Sequence, residues 1–138
     1  MINLTVNPFA GLYAFAPGFI TLELEIMNWF ITLMEFPEKT ADGFLTTGSS
    51  LATLSAIPMA RARLIEGNNY SMVTLYISDE SDHCIRKVWS TLGLPLKNIC
   101  FISTTRSDFK MNVDDLKRVL EIDLTNNFIP LCIVGSQL

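Results

Sequence analysis

The stretch richest in possible chemistry is Gly43–Arg63, GFLTTGSSLATLSAIPMARAR. A short apolar and threonine run enters Gly48, two serines follow, and an Ala- and Leu-rich segment carries Arg61 and Arg63 at its far end. Gly48 suits a tight turn, Ser49 or Ser50 suits a helix N-cap, and the two arginines suit a helix C-terminus. A helix that opens this way presents backbone N–H groups and two hydroxyls at its positive end, a combination that can hold an anion, phosphate above all. An ordinary capped helix accounts for the same residues. A nucleotide-binding P-loop does not, because no Lys follows the glycine and the Gly spacing is wrong.

Little else in the chain offers catalytic chemistry of its own. There is one histidine, His83, and three widely spaced cysteines, Cys84, Cys100 and Cys132, an odd number with no metal-ligand pattern. No metal site and no disulfide framework are expected, and a reducing cytoplasm is the expected compartment. The net charge of −4 and a pI near 4.8, with no basic run, argue against nucleic acid as a partner. No apolar stretch reaches transmembrane length, and the start lacks the basic segment of a signal peptide. With 49% hydrophobic and 17% charged residues and a mean hydropathy of +0.34, the surface is greasy for a free-standing domain of 138 residues. Such a surface is expected to be covered by further chain or by a partner.

The elements that must position these residues follow from periodicity. Residues 1–18, with Pro8, Gly11, Pro17 and Gly18 among aromatics, read as an irregular arm, and residues 19–138 as a single domain. A helix is predicted near 20–36. Thr21, Glu25, Asn28, Thr32 and Glu35 form one narrow polar stripe on it, the rest of its circumference is apolar, and Pro37 ends it. A second helix is predicted over 49–65, interrupted or kinked by Pro58, with Gly67-Asn68-Asn69 as a turn. Ser71–Ser78 reads as a buried strand, the segment after Asp79–Asp82 as a helix closed by Gly93 and Pro95, and Asn98–Ile102 as a second strand. Asn112 caps a further helix with Asp114 and Asp115 in its first turn, and Val113, Leu116, Val119, Leu120 and Leu124 supply its inner face. Ile129–Val134 is the third strand, with Pro130 tolerable only near its start. Strand alternating with helix from residue 71 onward predicts an α/β fold with a parallel sheet and flanking helices.

The order of these signals resembles the amino-terminal part of the large domain of group II pyridoxal-phosphate-dependent amino-acid decarboxylases, the aromatic amino acid, histidine and glutamate type. Pro17, Glu23, Trp29 and Pro37 match a Pro, Leu-Glu, Trp-Leu, Leu-Pro pattern at the same spacings. TTGSSLATLSAIPMARAR is similar to a Gly/Ser-rich turn with a closing Ala-Arg. YISDESDHCIRKVWSTLGL is similar to a Ser-Asp-x-x-His strand end with its helix, and KMNVDDLKRVLEIDLTNNFIPLCIVG to the segment before the next strand.

The resemblance implies a partial fold-type I transferase large domain, a homodimer, an amino-acid substrate, and pyridoxal phosphate at the strand ends. By position, Ser49 and Ser50 would bond the cofactor phosphate and Gly48 would let the backbone approach. The family histidine that stacks on the pyridine ring falls at Asp82 without a gap, and His83 comes one residue later. One helical residue turns a side chain by about 100°, so which of the two serves is open. Leu51 stands where the family has Glu. The resemblance places the Schiff-base lysine and the acid at the ring nitrogen beyond this stretch of the family, and Lys39, Lys87, Lys97, Lys110 and Lys117 match no Schiff-base position. The expectation is a fragment of a carboxy-lyase, inactive alone. Two alternatives remain: a non-catalytic piece docking on a complementary chain through helix 20–36, and a small α/β domain binding a phosphorylated metabolite at Gly48–Ser50.

Overall fold

The computed structural model describes residues 9–65, 67, 69–105 and 108–135. The first eight residues of the expected arm lie outside these, as do Asn68 of the expected turn and residues 136–138. The chain divides into two compact units, Met1–Thr46 and Thr47–Leu138.

The first unit is built on helix α1, Pro17–Leu33, preceded by a 3₁₀ turn at Tyr13–Phe15. The helix starts earlier than its apolar pattern predicts, because Pro17 occupies N1, where its fixed φ is preorganised and its missing N–H costs nothing. It also stops earlier, before Pro37 can act. Glu35 adopts a left-handed conformation (φ 55°), its N–H bonds Thr32 O at 3.2 Å, and Phe36 N–H bonds Ile31 O at 3.0 Å. This is a Schellman ending built without glycine. The segment that follows returns along α1, where Leu45 N–H donates to Glu23 Oε1 at 2.8 Å. A Cβ on Gly43 would lie 3.1 Å from the Met27 sulfur, so the chain approaches the helix closely there.

The second unit contains α2 (Ser49–Leu64), β1 (Val73–Ser78), α3 (His83–Thr91), β2 (Ile99–Ile102), α4 (Val113–Thr125) and β3 (Ile129–Val134). The strands form one parallel sheet in the order β2-β1-β3, with Leu75 opposite Ile99 and Val73 opposite Ile129. The chain steps from β1 to one side and then back across it to the other. Crossovers of constant hand must then lie on opposite faces of the sheet, and α3 and α4 do so. On the α2 and α3 face, Val73, Leu75 and Ile77 meet Ile57, Ile85, Val88 and Trp89 in the core. On the α4 face lie Thr74, Tyr76 and Ser78, all buried.

Several local expectations change. α2 runs unbroken through Pro58, so only the hydrogen bond to Leu54 O is forfeited. Its N-cap is Gly48 with no side-chain cap bond, so Ser49 and Ser50 are the first two helical residues rather than caps. Gly48 is extended (φ 161°, ψ 168°) and an added Cβ would meet nothing within 4 Å, so no tight turn demands glycine there. Tyr70–Met72 is a 3₁₀ turn before β1, and Leu96–Asn98 another before β2. The buried Asn98 amide donates to Ser71 O and Val73 O, tying the two strand entries together. Gly67 and Gly93 do have positive φ, 76° and 71°, as turn and helix stop require. Asn112 caps α4 by accepting from the N–H groups of Asp114 and Asp115. Of the residues expected on the inner face of α4, Leu116, Val119 and Leu120 are half-buried as expected, whereas Val113 and Leu124 are exposed and Asp123 turns inward. Pro130 sits in the edge strand β3, and the register slips between Thr74 and Leu75, which pair with Pro130 and Cys132. Leu131 is the extra residue of a bulge beside the proline that cannot donate.

Candidate functional site

A parallel sheet flanked by helices brings helix N-termini to the carboxyl ends of its strands. Here α3 starts just after β1 ends, and the antiparallel return of α2 into β1 brings its own N-terminus to the same place. The two starts lie side by side: Ser50 of α2 and Cys84, in the first turn of α3, line the same groove. Burial is the main cause that raises the Cys84 pKa, with the neighbouring Asp82 adding to it. A raised pKa keeps the thiol protonated, which makes it a poor nucleophile.

The first intrahelical bond of α2 runs from Ala52 N–H to Gly48 O at 3.0 Å. The N–H groups of Ser49, Ser50 and Leu51 thus have no acceptor within the helix. With the two serine hydroxyls they form a donor set at the positive end of a sixteen-residue helix. Arg61 and Arg63 belong to the last turn, about 18 Å along the axis at 1.5 Å per residue. Arg61 lies over the Tyr70 ring, 4.9 Å from its centroid. The nearer cation is Lys87, which with Ser50, Leu51, Leu54, Cys84 and Thr91 lines a shallow groove between α2 and α3.

Asp82 is the N-cap of α3. Its carboxylate accepts from Cys84 N–H at 2.6 Å, and this bond is the first cause that lowers its pKa. His83 is the first residue of α3 and exposed; it lines a separate recess with Arg86, Lys87, Ser90 and Leu96. The structure therefore places Ser50, with Gly48 and Ser49 directly before it at the start of α2, on one groove with Cys84, has Asp82 cap α3 beside it, and leaves His83 on the outer side of α3. All five lysines are exposed. Among the described residues no group of three or more His, Cys, Asp or Glu side chains is placed to hold a metal, and no helix is long and apolar enough to cross a membrane.

One polar cluster escaped the sequence reading. Under the α4 face, Tyr76 Oη donates to Asp123 Oδ2 at 2.6 Å, Cys100 Sγ approaches the same oxygen at 3.4 Å, and Thr74 Oγ1 lies 2.9 Å from Tyr76 Oη. The signal was the alternation Thr74, Tyr76, Ser78 within an otherwise apolar strand, which marks one face of β1 as polar.

The comparisons with known proteins agree with this architecture. A family model described as the pyridoxal-dependent decarboxylase conserved domain matches residues 1–137, and the chain belongs to that family. It is 27% identical over 130 residues to an aromatic-L-amino-acid decarboxylase of Bacillus atrophaeus, covering 94% of this chain and 26% of the relative. It is 24% identical to the aromatic-L-amino-acid decarboxylase of Catharanthus roseus, over 99% of this chain and 29% of that protein. Among solved structures, Catharanthus roseus tryptophan decarboxylase in complex with L-tryptophan superposes with a TM-score of 0.86 at 23% identity, over 96% of this chain and 30% of that one. The glutamate decarboxylase domain of a Vibrio parahaemolyticus protein gives 0.86 at 22%, over 97% and 31%. The fold is the expected partial fold-type I architecture. The chain spans between a quarter and a third of the relatives it matches.

Proposed function

We propose that this chain supplies the phosphate-holding part of a pyridoxal phosphate site in an amino-acid decarboxylase, with Gly48, Ser49 and Ser50 as the contacts. The observation that supports it is the α2 N-terminus, where three N–H groups without a helical acceptor and two hydroxyls face the end of the parallel sheet beside the start of α3. That donor set fits the phosphate end of the cofactor. Among the described residues neither side chain at the family's ring position matches the ring end, because Asp82 is engaged as a cap and His83 faces outward. The proposed activity of the whole enzyme is loss of carbon dioxide from an amino acid, in the cytoplasm. Substrate selection is left to residues beyond the quarter of the relatives' length that this chain spans.

Each net hydrogen bond in the cradle contributes about 1 kcal/mol, and a bond to a charged group about 1.5–3. Two hydroxyls therefore account for about 2–6 kcal/mol, roughly a thirtyfold to ten-thousandfold change in affinity. The test is titration of the chain with inorganic phosphate, followed by ³¹P resonance. The Ser49→Ala, Ser50→Ala double variant is expected to weaken binding by at least about tenfold. An unchanged dissociation constant would remove the reading.

A second proposal, association through α1, is supported by its exposed Leu22, Leu24, Trp29, Leu33 and Met34. A contiguous exposed apolar surface of this kind marks a protein–protein contact.

A further inference from the structure

We infer that Asp82 makes this chain recognise its ligand through the phosphate alone, with no contribution from an aromatic ring. The inference rests on the phosphate reading above and concerns what that site discriminates. The resemblance puts a ring-stacking side chain four residues after Ser78, and this chain has Asp82 there. A carboxylate has no flat face to lay on a ring. This one is also held in place, because it is the cap of α3 and accepts Cys84 N–H at 2.6 Å. Turning it toward a ligand would uncap the helix.

His83 cannot take over by a one-residue slip. In α3 the inward face is Cys84, Ile85, Val88 and Trp89, the last three buried. His83 shares the outward face with Arg86, Lys87 and Ser90, at the three- and four-residue spacings of one helix side. Bringing its imidazole to the strand end would require rotating α3 by about 100°, which would drag Trp89 out of the core and break its Nε1–H bond to Pro95 O, 2.9 Å long. The packing of α3 therefore fixes His83 on the outside. What remains at the strand end is the donor cradle of α2 beside an ionised cap, which distinguishes phosphate from no phosphate but one phosphate ester poorly from another.

The experiment uses the single histidine as a reporter. The chain is titrated separately with pyridoxamine 5′-phosphate, which has the ring but no aldehyde to label lysines, and with glycerol phosphate, which has no ring. Affinities are read by calorimetry and the His83 Cε1–H resonance by NMR. The expected result is dissociation constants within about threefold of each other and no ring-current shift at His83. A preference of about tenfold or more for the aromatic ester, or a saturable upfield shift of His83 with that ester only, would overturn the inference. Failure of both esters to bind would overturn the phosphate reading itself and this inference with it. Asp82→Asn keeps a good cap and should leave the ratio of the two affinities unchanged. Asp82→His, in contrast, should raise it severalfold; a ratio that responds to Asp82→Asn instead would show that Asp82 acts through charge and refute the stacking account.

Discussion

Removing the Asp123 carboxylate should destabilise the second unit by about 2 kcal/mol. Asp123 Oδ2 accepts the Tyr76 hydroxyl at 2.6 Å and the Cys100 thiol at 3.4 Å, and Tyr76 is fully buried. A charge-assisted bond contributes about 1.5–3 kcal/mol, and an orphaned buried hydroxyl costs about 1–3. In Asp123→Ala the Tyr76 hydroxyl keeps Thr74 Oγ1 at 2.9 Å, which places the loss in the lower half of that range. Tyr76→Phe should cost less, about 1 kcal/mol, because Asp123 is only half-buried and water can replace the phenol. Since both variants break one bond, the double variant should cost less than their sum, with a coupling of about 0.5–1.5 kcal/mol.

The cluster also sets a pH dependence. Burial, with Asp123 adding, pushes the Cys100 thiol up to about 12 and holds the Tyr76 hydroxyl well above its ordinary value. Below about pH 8 both groups are protonated whether the chain is folded or unfolded, so their contribution is constant. Above that the unfolded chain releases protons that the folded chain retains, so stability falls as pH rises, first through Cys100 near its ordinary 9.0 and then through Tyr76 near 10.0. Tyr76→Phe should flatten the second part of the fall. Urea unfolding at pH 7.5 and at half-unit steps to pH 11 (roughly the range in which both groups titrate when unfolded) measures both effects. An Asp123→Ala loss below about 0.5 kcal/mol, or alkaline sensitivity unchanged in Tyr76→Phe, would refute the account of this cluster.

Two further outcomes are expected. Replacing Phe30 and Met34, 42% and 60% exposed on α1, with polar residues should reduce self-association in sedimentation velocity; a parent chain already monomeric at high concentration would count against association through α1. Pro58→Ala should stabilise the chain, by up to about 3 kcal/mol, by returning an N–H to Leu54 O in a helix that is already continuous; a lower thermal midpoint would show that the ring is needed for packing.

The fold class was decided by local chemistry. Six buried residues in β1, the Asn112 cap and the glycine stops at 67 and 93 are properties of short segments, and a short segment's periodicity and capping are visible in its own residues. The donor cradle at Gly48–Ser50 was visible for the same reason, although the serines open the helix rather than cap it. What the residue order left undetermined was which side of a helix meets the core. His83 and Asp82 are adjacent in the chain, and only the burial of Ile85, Val88 and Trp89 turns one outward and leaves the other as a cap at the strand end. The same holds for Val113 and Leu124, apolar residues left exposed while Asp123 turns inward to Tyr76. The groove that Ser50 and Cys84 share, and the Asp123 cluster between strands and α4, bring together residues 34 and 23 or more positions apart. Contacts at that separation form only when the whole sheet and its helices have assembled, so they belong to the tertiary structure alone.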